Sequence, residues 1–266
     1  METSGRGFVS EPASDFYLDA LSRLDEAGIP FLIGGAFAYS RYSRVPRVTK
    51  DLDVFLRQGD VHRALELFER CGYETELPFP HWLGKVHDRD HVMDVIFSSG
   101  NGVARVDDLW FEHAVVDRVL GQPRRLCPPE EMIWSKAFVQ ERERFDGADV
   151  LHLFRELGST LDWRRLMTRF GAHWRVLFSH IVLFGFAYPN RRDQIPRWVI
   201  AALSERLAEG PEPENRICNG TLLSREQYLI DIEQFGYRDG RIQPEGPMSQ
   251  AETAIWTAAI PKDRDG

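Results

Sequence analysis

Cysteine is scarce in this chain. The three present, Cys71, Cys127 and Cys218, are odd in number and fall in no metal-ligand spacing. That excludes a disulfide framework and a cysteine-built metal site, and it implies reduced thiols in a cytoplasmic protein. Long hydrophobic runs are missing as well. The most apolar stretch, Val176 to Tyr188, contains Ser179 and His180; it is too short to span a bilayer and reads as a buried helix, so no membrane partner is expected. The opening residues Met1 to Ser14 are polar, show no signal-peptide pattern and read as a mobile tail. Positive charge is in deficit, with 33 Lys and Arg against 41 Asp and Glu and a formal charge of −8. Indiscriminate nucleic-acid binding needs the opposite balance, because its affinity comes from cations on phosphates. No G-x-G-x-x-G, G-x-x-x-x-G-K, Cys-x-x-Cys or nucleophile elbow occurs, which removes the commonest dinucleotide, phosphate-loop and thiol chemistries.

What is present is a globular composition: 43% hydrophobic and 12% aromatic residues over 266 positions, enough for one large or two small domains. Asp15 to Ala27 is amphipathic, with Phe16, Leu18, Leu21 and Leu24 on a helical period and Gly28 as its stop. Ile29 to Ile33 reads as a buried strand, Ala36 to Ser43 as a short helix, Asp60 to Arg70 as another, and Tyr73 to Leu77 as a strand. Lys85 to His87 and His91 to Phe97 read as strand pieces around a hairpin turn at Asp88-Arg89-Asp90. Interleaved helices and strands to about residue 125 fit an α+β domain with a mixed sheet. After Pro128-Pro129 the pattern turns helical: Glu130 to Gln140, Asp146 to Leu157, Trp163 to Phe170, Trp174 to Phe186, Pro196 to Ala208 and Arg225 to Phe235, the last with a capping box at Ser224 to Gln227. The expected organisation is a mobile tail (1–14), an α+β domain (15–127), an all-helical C-terminal domain (128–240) with a linker at Gly210 to Pro213, and a weakly ordered tail (241–266).

The most informative motif lies in the first domain. In Asp51-Leu52-Asp53-Val54-Phe55-Leu56 the aspartates alternate with Leu52, Val54 and Leu56, the period of a strand. Alternation sends the apolar side chains to a core and both carboxylates to the opposite face, roughly 6–7 Å apart at the backbone. From there both reach one hard cation, or two at the spacing used for in-line phosphoryl displacement. Upstream, the buried strand runs into Gly34-Gly35, and backbone amides at a glycine turn entering a helix form a ready anion site. Alone, a Gly-Gly is an ordinary turn and an Asp-x-Asp an ordinary solvated strand face. In this order each supports the other.

Strand, Gly-Gly, helix and Asp-x-Asp strand together resemble the nucleotidyltransferase superfamily built around the DNA polymerase β-like palm. A second stretch, Pro128 to Ala137 followed by Glu141 to Leu151, resembles the bacterial AbiEii-type, minimal branch of that superfamily, and the similarity runs from about Asp15 to Leu157. The resemblance implies a palm with a mixed sheet and a Mg²⁺- or Mn²⁺-dependent activity. Asp51 and Asp53 would hold the metals and the nucleoside triphosphate. A third carboxylate, best matched by Asp94 in Val92-Met93-Asp94-Val95-Ile96, would bind a second metal and orient or deprotonate the attacking hydroxyl. An unpaired carboxylate in an apolar strand is costly, so Asp94 wants a metal, a partner or an exit to solvent; Asp88 and Asp90 compete, but aspartate is ordinary in a turn. Amides around Gly34 and Gly35 would cradle phosphates. Where many members carry Gly-Ser this chain has Gly35-Ala36, leaving that contact to amides or to Ser40. The linker Arg41, Arg44, Arg47 and Lys50 would lie beside the triphosphate, or else form a solvated loop. Lys136 matches a lysine that touches the triphosphate, and Arg144, Asp146 and Asp149 match the polar turn that positions it.

The expected reaction is transfer of a nucleoside monophosphate from an NTP to a hydroxyl on an RNA end, a protein or a small molecule, with release of pyrophosphate. The alternative is a non-catalytic nucleotide- or RNA-binding module that retains the fold. By family analogy a cognate antitoxin is a possible partner. From Trp163 to Arg197 seven arginines stand against one acid, Asp193. Arg164, Arg165, Arg169 and Arg175 among aromatics can hold RNA, which tilts the acceptor toward RNA. The competing arrangement, favoured on charge pattern alone, buries Trp163 and Trp174 and pairs the arginines with acids elsewhere. His81, His87 and His91 fit no strong metal motif and read as scattered hairpin histidines.

Overall fold

The computed structural model describes residues 11–209 and 216–260. The mobile-tail expectation for residues 1–10, the linker at Gly210 to Pro213 and the last six residues lie outside them. The described residues cluster into two compact units: one runs through Gly100 and resumes over Ala104–Pro128, the other comprises Asn101–Val103 and the chain from Pro129 onward.

The first unit is a seven-stranded mixed sheet with helices. In chain order it contains α1 (Glu11–Glu26), β1 (Leu32–Ile33), α2 (Gly35–Ser43), β2 (Asp51–Phe55), α3 (Val61–Arg70), β3 (Glu74–Phe79), β4 (Leu83–Asp88), β5 (His91–Ile96), α4 (Asp108–Glu112), β6 (Val115–Val119) and β7 (Gln122–Leu126). Spatial order is β3-β4-β5-β2-β1-β7-β6. β2 runs parallel to β5 and antiparallel to β1. Leu52 and Val54 pair with Met93 and Val95 across that parallel seam, and all four are fully buried. They make the apolar face that Phe16, Leu21 and Leu24 of α1 and Ala64, Leu65 and Phe68 of α3 help to cover. Helix α1 begins at Glu11, so residues 11–14 are helical where a mobile tail is expected; Pro12 falls in the first turn, where its missing N–H is tolerated. The hairpin of β6 and β7 was not expected. It turns through Leu120 and Gly121, both at positive φ, the backbone a two-residue hairpin demands.

The second unit is helical: α5 (Pro129–Ala137), α6 (Gly147–Leu157), α7 (Trp163–Phe170), α8 (Trp174–Ala187), α9 (Arg197–Ala208), α10 (Leu229–Glu233) and α11 (Gln250–Ala258). Pro129 opens α5, a position where its missing N–H costs nothing. By length and composition Trp163–Ala187 is long and apolar enough to cross a membrane. In the fold it breaks at Gly171, at φ +47, and buries Trp163, Leu166, Phe170, Trp174, Leu177 and Phe184 against other helices. The unit is helical as expected, with one short parallel pair of strands added, β8 (Ile217–Cys218) and β9 (Arg238–Asp239). One expectation is corrected here: residues 241–260, expected to be weakly ordered, carry α11, opened by a capping box between Ser249 and Glu252. The fully buried Arg241 grips Asp239 through Nη2 and Oδ2 at 2.6 Å, and Thr221 Oγ1 donates to Asp239 Oδ1 at 2.8 Å, which ties this segment down. The capping box expected at Ser224 closes only a turn: Ser224 Oγ accepts the Gln227 amide at 3.2 Å, while α10 begins two residues later.

Candidate active site

Alternation and register decide where the carboxylates go. In β2 the fully buried Leu52 and Val54 point one way, so Asp51 and Asp53 share the opposite face. On β5 the buried Met93 and Val95 leave Asp94 on that same face, and Asp53 stands directly opposite Asp94 in the parallel ladder. The antiparallel β4 adds Lys85 opposite Asp94. One row across three strands therefore reads Lys85, Asp94, Asp53, with Asp51 two residues away along β2. All three aspartates are partly exposed.

The glycine turn closes against this row. Gly34 N–H donates to Asp53 C=O at 3.0 Å, extending the pairing of β1 and β2 past Ile33. Gly35 opens α2 at φ +50, a conformation that favours glycine. The Asp53 carboxylate fills the space a Cβ on Gly35 would occupy. Glycine is thus required twice, by backbone conformation and by the carboxylate that lies on it. The first turn of a nine-residue helix and a strand-borne carboxylate meet at one point.

Electrostatics tie the three acids together. Tyr17 on α1 is fully buried and donates from its hydroxyl to the Lys50 carbonyl at 3.1 Å. Burial, and then the charges of Asp51, Asp53 and Asp94 in turn, push its pKa up to about 12, so the phenol stays protonated. Asp94 is raised above the usual carboxylate range, first by burial; Lys85 opposes the shift and the Asp51 charge adds to it. Lys85 Nζ lies 2.6 Å from Asp94 Oδ1. Asp51 Oδ1 accepts from Thr49 Oγ1 at 2.6 Å. Sequence reasoning missed both Tyr17 and Lys85. A tyrosine in an amphipathic helix gives no signal, whereas Lys85 was visible as the lone cation of its strand and acquires meaning only from register.

The remaining candidates make contacts of their own. Ser40 Oγ accepts the Arg47 amide at 3.1 Å, and the Arg47 guanidinium lies 4.2 Å from the Tyr39 ring centroid. Arg41 pairs with Asp117. Lys136 and Asp149 belong to the helical unit, where Lys136 Nζ contacts Asp149 Oδ2 at 2.8 Å and Asp146 Oδ2 at 3.0 Å, and Arg144 reaches Asp146 at 3.2 Å. Those four residues form one cluster. The arginine-rich stretch takes the paired arrangement in part. Arg165 contacts Glu130 and Glu131, Arg169 contacts Glu131, and Trp163 and Trp174 are buried. Arg164 stacks on Trp198 and Arg175 on Trp174. His81 bonds the Gly100 carbonyl, His87 meets Glu76, and His91 stacks on Phe16.

The donor set suits a hard divalent cation, since Asp51 and Asp53 offer carboxylate oxygens from one strand face. Among the described residues no three His, Cys, Asp or Glu side chains converge as a ligand group. Asp94 stands beside the pair with Lys85 already on one of its oxygens.

No family model matches the chain, and no curated protein matches it. Among solved structures it is similar to the antibiotic-resistance factor ANT(2″)-Ia in solution, at 17% identity over 76% of this chain and 100% of that one, with a TM-score of 0.38. It is also similar to the lincomycin-bound lincosamide antibiotic adenylyltransferase LnuA, at 13% identity over 55% and 96%, TM-score 0.39. An antigenic nucleotidyltransferase-like protein from Paracoccidioides brasiliensis aligns at 15% identity over 65% and 93%, TM-score 0.39.

Proposed function

We propose that this chain is a divalent-metal-dependent nucleotidyltransferase that moves a nucleoside monophosphate from an NTP to a hydroxyl acceptor. The observation that carries the reading is the seat of the Asp53 carboxylate on Gly35, where the glycine turn that enters α2 meets the carboxylate row. A triphosphate at that turn meets backbone amides and the positive end of a helix, with Asp51 and Asp53 alongside. Asp51 and Asp53 would hold a Mg²⁺ or Mn²⁺ ion, which when bound neutralises phosphate charge. The acceptor oxygen attacks the α-phosphorus, the bond to the pyrophosphate leaving group breaks, and the hydroxyl proton passes to Asp94. The protein's contribution is position and charge rather than covalent chemistry. Burial makes Asp94 a better proton acceptor than a solvated aspartate, and Lys85 fixes its orientation.

The acceptor is an RNA end, a protein hydroxyl or a small molecule. With Arg165 and Arg169 engaged by Glu130 and Glu131, Arg164 and Arg175 are the exposed pair of those four arginines and the ones that would meet RNA. Kinship with the AbiEii-type branch, and with it a cognate antitoxin, is part of the same proposal and rests on the Lys136, Arg144, Asp146 and Asp149 cluster.

The test is incubation with each α-labelled NTP and Mg²⁺, with and without total RNA, scored for label on RNA, protein or small molecules. Asp51→Asn with Asp53→Asn should cut transfer by roughly 10³-fold or more while leaving the fold intact. Equal transfer by the double variant would exclude the assignment.

A further inference from the structure

The third carboxylate of the row already has a cation, and it belongs to the protein. Lys85 stands opposite Asp94 in the antiparallel ladder of β4 and β5, so the pair is set by backbone register and not by a long side chain finding its partner across solvent. Its ammonium sits 2.6 Å from Asp94 Oδ1, with the two side chains 27% and 16% exposed. Asp94 in turn stands opposite Asp53. An ammonium in that place puts positive charge at the end of the row where the acceptor hydroxyl would be oriented.

We propose that Lys85 takes the place of a second metal ion, so that the site works with a single divalent cation held by Asp51 and Asp53 while the Lys85 ammonium compensates and orients Asp94. This rests on the transferase reading and deepens it. The geometry supports it in two ways. A metal on Asp94 would share its carboxylate with an ammonium held on Oδ1 at hydrogen-bond distance, against direct charge repulsion. And with Lys85 on Asp94 the three carboxylates form no ligand group among the described residues, so Asp94 stands as the lysine's partner and not as a third corner of a metal cage. Lys85 is a positioning residue under this proposal: it touches Asp94 and acts through it.

The test counts ions, independently of turnover. Wild type, Lys85→Met, Lys85→Arg and Lys85→Met with Asp94→Asn are titrated with Mn²⁺ by electron paramagnetic resonance, in the presence of non-hydrolysable α,β-methylene analogues of the four NTPs. Wild type and Lys85→Arg should bind about one Mn²⁺ per nucleotide-loaded chain, and Lys85→Met about two, because Asp94 without its ammonium joins the neighbouring carboxylates as a ligand. Adding Asp94→Asn should return the count to about one. Lys85→Gln, checked by circular dichroism, stands in if the methionine variant does not fold. Two ions in wild type would overturn this proposal while upholding the transferase reading. An unchanged count in Lys85→Met would overturn it too, since the ammonium would then not be what excludes the second ion. Failure of wild type to bind either Mn²⁺ or any analogue would overturn both.

Discussion

The two units each gather acids and cations, and they do it in opposite ways. In the helical unit Glu131 is fully buried, with both its oxygens on Arg165 at 2.6 Å and Arg169 at 3.1 Å. Glu130 beside it takes Arg165 and the Asp162 amide. In the sheet unit Asp51, Asp53 and Asp94 are partly exposed along one face, and the charges of all three act on the same buried tyrosine. An enclosed, multiply bonded carboxylate has nothing left to offer a ligand and acts on the fold. A row of like charges at a glycine turn is unfavourable for the fold on its own, and that arrangement belongs to sites that expect a cation.

The sharpest way to break this contrast is to remove one acid from each side. Glu131→Ala leaves Arg165 and Arg169 in an enclosed site without their shared partner, and such losses cost about 3–5 kcal/mol. Urea unfolding should show that loss, with nucleotide binding by the surviving folded protein unchanged. Loss below about 1 kcal/mol would mean that the site relaxes enough to hydrate both arginines, and that its enclosure is not what matters.

Gly35 sharpens the comparison from the other side. Gly35→Ala meets a positive φ and the Asp53 carboxylate at once. It should cost about 1–3 kcal/mol of stability and a far larger factor in label transfer, because the displaced group is the one that carries the proposed chemistry. Gly121→Ala is the control: its φ is +81, yet among the described residues nothing lies near the added carbon. It should destabilise by about 1 kcal/mol and leave transfer alone. Equal transfer defects in the two would show that the Gly35 effect is backbone strain and not the seat of Asp53.

Much of this site was legible in the sequence because it depends on local periodicity. Alternation in Asp51 to Leu56 fixed which face the aspartates take, and the apolar surroundings of Asp94 marked it as an acid in need of a reason. The Lys85 to Asp94 pair was out of reach, because it depends on the register between two strands joined by a turn, and one residue of slip would send Lys85 to the other face. The fate of the arginines was half legible. Charge counting showed that they needed partners, but Glu130 and Glu131 lie more than thirty residues upstream and only the packing of α5 on α7 brings them together. The ordered segment after Gly240 was misread because its composition is rich in Pro and Gly, while one buried Arg241 and one capping box hold it.

The smallest expected effect is one of pH, and it falls on the enclosed side of the comparison. His180 is fully buried, with Nε2 donating to the Ala137 carbonyl at 2.9 Å and Nδ1 enclosed without a hydrogen-bond partner among the described residues. Burial holds it below the ordinary imidazole value, against a weaker upward pull from that carbonyl, and burial likewise lowers His173. As pH falls through about 6.5 the unfolded chain takes up protons that the folded chain refuses, so the unfolded form gains. Stability from these two groups is therefore complete above that value and is lost on acidification toward their depressed values. Asp146 behaves in the same sense but in stronger acid: burial works upward there, and Lys136 and Arg144 outweigh it. Melting temperature should decline from pH 7 to pH 5.5 in wild type, and less steeply in His180→Gln. The two imidazoles lie in the helical unit, and Asp51→Asn with Asp53→Asn leaves both in place, so that variant should decline as wild type does. A flat wild-type profile would show that the imidazoles reach solvent before the unit unfolds, and a double variant that flattened it would move the acid-sensitive groups to the open face of the sheet.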